Sequence, residues 1–175
     1  MNWTQLLEGK IEKAYSTTTK LLEKVDPEAL DWKPASGSNW MTVGQLLRHI
    51  GESCGAGCRA FVTGEWPLPE GKTWETLSAE VVFPPAEMLP SIESVGEAER
   101  LLGADKRIAL QIIAQAGENG LDAEVEAPWA PGKPLPLGRH LLQMIEHLER
   151  HETQLFYYLK LQGKPLNTID LWGEP

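Results

Sequence analysis

PLGRHLLQMIEHLERHETQLFYYLKLQG, residues 136–163, decides how the rest of the chain is read. Leu137, Leu141, Met144, Leu148, Leu155 and Leu159 recur at helical spacing, and Gly163 followed by Pro165 closes the run, so the stretch is one amphipathic helix. It holds three of the four histidines. His140, Met144, His147 and His151 share a face. His147 and His151 are one turn apart, about 6 Å along the axis and about 40° around it, so two imidazoles can converge on one metal ion. His140 stands about 10 Å before His147 and about 16 Å before His151, too far to complete a site built on that pair. A third histidine ligand has to come from elsewhere, and only His49 remains. The pair by itself also suits the polar rim of a core, because H-x-x-x-H without the glutamate of H-E-x-x-H has only moderate specificity.

Working outward, the chain of 175 residues is long enough for one domain with a sizeable core, and a single domain over 1–175 is expected. Its net charge of -9, from 16 basic and 25 acidic residues, argues against a nucleic-acid or anionic-membrane surface, which needs clustered Lys and Arg. A small-molecule or protein partner is expected instead. No apolar run reaches the length of a membrane span, and MNWTQLLEGKIEKAY has no signal-peptide core, so the expected location is cytoplasmic. Cys54 and Cys58 sit one turn apart and are expected as free thiols packed as small hydrophobes.

Three further helices are legible. The first runs from Asn2 with the stripe Leu7, Ile11, Ala14, Tyr15, Thr18, Leu21, Leu22 and Val25, and stops at Asp26-Pro27. A connection follows with Trp32 and Trp40 as lids over the end of a core. The second helix has Thr42 as cap and Gln45 as its reciprocal partner, buries Val43, Leu46, Leu47, Ile50, Cys54, Cys58 and Phe61, and ends at Gly64. His49, one residue from Ile50, falls at the border of that face. Gly51, Gly55 and Gly57 permit close approach of another backbone. The third helix begins at Ser94, with Glu97 in capping-box position, and runs to about Gly117.

Between the second and third helices, Glu65 to Ser91 is Pro-rich with Trp66 and Trp74 embedded, and a connection of that length spans the fold or covers a site. A short helical turn is expected at Thr73 to Leu77. Val125 to Pro136, with Trp129 and the turn Pro131-Gly132, predicts a hairpin-like entry to the histidine helix. The tail, Leu166 to Pro175, packs Leu171 and Trp172 on the bundle or frames a dimer surface. The fold class is therefore all-α, a four-helix bundle, whose core is a place where facing helices hold metals.

Trp32, the segment WMTVGQLLRHIGES (40–53), Trp129 and HLERHETQL (147–155) together resemble the DinB/YfiT-like superfamily, over nearly the whole chain. The resemblance implies helices running up, down, down, up, with the long crossover between the second and third. It implies a metal triad of His49, His147 and His151. The family pattern follows its last histidine with Arg, a small residue and Gln. Here Glu152, Thr153 and Gln154 follow His151, so Gln154 is kept and the arginine is absent. Glu152, beside a solvated face, is expected to point outward.

Three neutral histidines leave a divalent transition metal, zinc or nickel, with an open position, as in catalytic sites. The metal can lower the pKa of bound water or of a bound thiol. Relatives of the resembled family include bacillithiol- and mycothiol-dependent transferases, so the resemblance implies thiol-dependent S-transfer to a small molecule, with hydrolysis next and a low-molecular-weight thiol as cosubstrate. A homodimer is the expected assembly. The competing function is a non-catalytic metal-binding or stress-response protein acting through protein interaction. Access separates the two: an enzyme needs a pocket beside the metal, expected to be lined by several of Trp32, Trp40, Trp66 and Trp129. Tyr158 is expected as a core residue with its hydroxyl at the rim, and His140 as structural or a rim contact.

Overall fold

The side chain of Asn2 accepts from the Gln5 backbone amide while Gln5 bonds back, and this capping box starts α1, Trp3–Leu22. The Thr42/Gln45 box starts α2, Val43–Thr63, as its residues predict. Ser94 caps α3, Val95–Leu121, and α4 covers Leu137–Leu161. A short α5, Thr168–Trp172, is capped by Asn167. This computed structural model describes residues 2–78, 81 and 84–173.

α3 runs one turn past its expected end. Gly117 departs from helical geometry at φ 63°, ψ 167°, and the chain then makes a further turn to Leu121. Within that turn the Glu118 carboxylate accepts from the Trp3 and Thr4 amides at 2.8 and 3.0 Å, capping the free N–H groups of α1 from across the fold. The expected turn in the crossover is a 3-10 turn at Trp74–Thr76, and the hairpin is the pairing of β1, Glu124–Val125, antiparallel with β2, Leu135–Pro136.

Helix directions follow from which residues meet. Along α1 and α4, Lys10 meets Glu149 and Thr18 meets Glu152, so numbers rise together and the helices are parallel. Along α1 and α3, Trp3 meets Glu118 and Tyr15 meets Asp105, so they are antiparallel. α2 and α3 are parallel, with Arg48 on Glu97 and Gly55 on Asp105. α2 and α4 are antiparallel, with Met41 at Tyr158 and His49 at His147. The order is up, down, down, up, and residues 64–94 form the crossover that returns the chain to the start of α2. α1 and α2 occupy one diagonal of the bundle, α3 and α4 the other.

The apolar stripes meet inside. Leu7, Ile11, Leu46, Leu47, Ile113, Leu141 and Ile145 are essentially fully buried, each such side chain contributing about 1.5–3 kcal/mol. At the α2/α3 seam the backbones touch: the Asp105 carbonyl oxygen fills the place a Cβ on Gly55 would need. Among the described residues no helix is long and apolar enough to cross a membrane.

Candidate metal centre

His49 projects from the border of the buried face of α2 towards α4, where His147 and His151 stand one turn apart. Their Nε2 atoms converge: His147 Nε2 is 3.1 Å from His49 Nε2 and 2.9 Å from His151 Nε2. Among the described residues these three form the group of His, Cys, Asp and Glu side chains able to hold a metal ion. His140 is not part of it. Its Nε2 lies 2.8 Å from the Val125 carbonyl oxygen and its ring stacks on Phe61, a structural placement at 2 % exposure.

The residues fit a cation. A neutral imidazole nitrogen carries a proton or a lone pair. His151 Nδ1 lies 3.0 Å from Gln154 Oε1, an acceptor, so the proton sits on Nδ1 and the Nε2 lone pair faces the cluster. His147 Nε2 touches two nitrogens, and a single proton or lone pair completes one ordinary hydrogen bond, not two. A divalent cation accepts all three lone pairs. Burial, with the neighbouring histidines, pushes His49 down to about 4; burial and His151 do the same to His147, and burial lowers His151. All three are neutral at pH 7, the state a metal requires.

Gln154 is itself held. Its Nε2 donates to the Tyr158 hydroxyl at 3.0 Å, and that hydroxyl donates to the Met41 carbonyl at 3.0 Å. Tyr158 is the expected core residue, with Trp32 and Trp40 edge-on against it as lids. The sequence did not reveal the relay. Its only trace there is spacing: Gln154 lies three residues after His151 and Tyr158 four after Gln154.

Two expectations are corrected. Glu152 does not point outward; at 5 % exposure it faces α1, 3.4 Å from the Thr18 hydroxyl, because one residue past His151 is about 100° round the helix, which is the face towards α1. Burial pushes its carboxyl up to about 8, with Glu149 adding to the effect. Nor do tryptophans line the recess beside the site. That recess, of about 280 Å³, is walled by Gln45, Arg48, His49, Glu52, Ser53, Leu89 and Pro90. Trp66, Trp74 and Trp129 instead pack edge-to-face on one another at the other end of the seam, with Phe61 against Trp66 and Trp129.

The sequence profile of the DinB superfamily matches residues 10–155. The chain belongs to that superfamily. A DinB-like protein from Bacillus subtilis, YjoA, has a similar structure: the TM-score is 0.64 at 18% identity, covering 92% of this chain and 94% of that one. At that identity the likeness bears on the fold. No curated protein matches the sequence.

Cys54 and Cys58 are free and fully buried, as expected. They lie beside Tyr15 and Asp105, a grouping that no local sequence pattern signals. The Asp105 carboxylate accepts from Tyr15 Oη at 2.7 Å and from the Gly55 and Ala56 amides at 2.8 and 3.0 Å. Burial raises its pKa against those bonds.

Proposed function

We propose that this DinB-superfamily protein is a metal-dependent enzyme. His49, His147 and His151 hold a divalent transition metal, zinc or nickel, and the favoured reaction is transfer of a low-molecular-weight thiol to a small electrophile, with hydrolysis second. The observation that carries this reading is the convergence of three Nε2 atoms with no fourth protein ligand among the described residues, next to a recess that reaches His49. When bound, the cation would supply a nucleophile at neutral pH by lowering the pKa of a thiol or water. The chain's own contribution is orientation: Gln154 keeps the proton of His151 on Nδ1, and the Tyr158–Met41 link keeps Gln154 in place. The recess admits a small molecule. A single domain over 1–175, a cytoplasmic location and a homodimer complete the proposal.

Elemental analysis of the protein purified without an affinity tag, beside a His49→Ala variant, tests it. About one equivalent of transition metal, lost in the variant, is the expected result. No metal after reconstitution with zinc or nickel would overturn the assignment; metal without consumption of thiol or hydrolysable ester would favour the binding-protein alternative.

A further inference from the structure

The groove between α1 and α4 is roofed at one end by α5. Leu171 packs on the core, Asp170 pairs with Lys24 at 3.4 Å, and a Cβ on Gly173 would meet the Thr17 hydroxyl. Beneath lies a recess of about 330 Å³. It is separate from the metal centre, because Glu152 in its wall points about 100° round α4 from His151.

Most polar groups in these walls are committed. Thr17 and Thr153 donate to the Lys13 and Glu149 carbonyls one turn back, and Lys10 pairs with Glu149 at 2.8 Å. Two are not. Lys13 makes no ion pair among the described residues, although it lies close enough for its charge to act on Glu152. Glu152 has one hydrogen-bonding neighbour among them, the Thr18 hydroxyl at 3.4 Å, whose single proton goes to the Ala14 carbonyl at 2.8 Å. The described side-chain atoms sealed inside the protein without a partner belong to Ser53, Trp74, His140 and Gln162. Glu152 Oε1, which also lacks a partner, is not one of them and opens into the recess. Asp105 has three donors from the chain; a carboxyl 5 % exposed that lacks them, facing an open space, points to a donor from outside it.

We propose that this recess is a second ligand site, for a free amino acid with an apolar side chain, its ammonium on Glu152, its carboxylate on Lys13 and its side chain against Leu171 and Trp172. The walls select that class. A simple cation would meet Lys10 and Lys13, and a simple anion would meet Glu149 and Glu152, whereas a zwitterion pairs with both signs. Leu171 and the exposed Trp172 supply the apolar wall. The proposal does not depend on the metal reading of the three histidines.

The test is isothermal titration calorimetry of the full-length wild type, Glu152→Gln and Lys13→Met, with L-phenylalanine as the probe. Glutamine keeps the shape of Glu152 and Lys13 is exposed, so both variants should fold, which urea unfolding verifies. One equivalent of phenylalanine is expected to bind wild type, and each variant about tenfold more weakly. N-acetyl-L-phenylalanine, which lacks the ammonium, should bind wild type about tenfold more weakly than phenylalanine does and lose nothing further in Glu152→Gln. 2-Phenylethylamine, which lacks the carboxylate, should stand in the same relation to Lys13→Met. No saturable binding of phenylalanine at millimolar concentration overturns the proposal. Equal binding in all three proteins also overturns it, and places the amino acid elsewhere, the metal centre included. If one variant does not fold, the other decides with its matched analogue.

Discussion

α2 meets α3 along one seam and α4 along another, and each seam buries polar atoms that are treated in opposite ways. At the α3 seam, Asp105 commits its carboxylate to two backbone amides and a phenol, and the helices close to backbone contact at Gly55. At the α4 seam, three imidazole nitrogens face one another with no proton arrangement that satisfies them all, beside an open recess. A buried polar group with every partner supplied by the chain holds the fold together. Three that converge on one point without partners of their own have the donor set of a cation site.

The largest effect that tests this contrast is at the α4 seam. His147→Ala and His151→Ala should each abolish stoichiometric metal; the metal-free His147→Ala protein should stay within about 1 kcal/mol of wild type, and His151→Ala, which also breaks the bond to Gln154, should lose about 1 kcal/mol more. His140→Ala, outside the cluster, should keep the metal. Full occupancy in the first two variants would break the contrast.

Next comes Asp105→Ala, which strands the buried Tyr15 hydroxyl, removes the acceptor shared by the Gly55 and Ala56 amides and opens a gap at the seam, and should cost about 3 kcal/mol in urea unfolding. A loss below about 1 kcal/mol would mean that the α3 seam does not depend on its carboxylate. Gln154→Ala lies between the two kinds of site, since it touches a histidine and not the metal; metal affinity should fall about 10- to 100-fold with stoichiometry intact. Unchanged affinity would show that the tautomer of His151 needs no help.

The smallest effect is a pH dependence. Burial, chiefly, and then Cys54 and Asp105 hold the Tyr15 phenol above its ordinary value of 10.0. The folded protein thus retains a proton that the unfolded chain releases, so this contribution is complete below about pH 10 and declines as pH rises further. Urea unfolding between about pH 9 and 11 should show a steeper decline for wild type than for Tyr15→Phe, by at most about 1.4 kcal/mol per pH unit. Parallel declines would remove Tyr15 from the account.

Much of the bundle was legible because caps and stripes are local: Asn2, the Thr42/Gln45 pair and Ser94 each mark a helix start, and the spacing of His147 and His151 already set His140 aside. What escaped is polar residues in apolar register. Asp105 continues the series Ala98, Leu102 and Ala109, and Glu152 continues Leu148, Leu155 and Leu159, yet a carboxylate in isolation suggests a solvated face. Their burial depends on partners from other helices, Tyr15 for one and Thr18 for the other. The tryptophans misled for a related reason. The crossover has no periodicity to say which end of the bundle Trp66 and Trp74 would reach.

The crossover over residues 64–94 also fixes an order of events. Contacts across the α2/α3 seam join residues about fifty positions apart, such as Gly55 and Asp105, and His49 meets His147 across 98. Neither pairing stabilises the chain until those long loops have closed, and the entropy of closure rises with loop length. A cation held by His49 together with His147 and His151 would therefore bridge the longest of these loops, and its binding free energy would add to that of the closed fold.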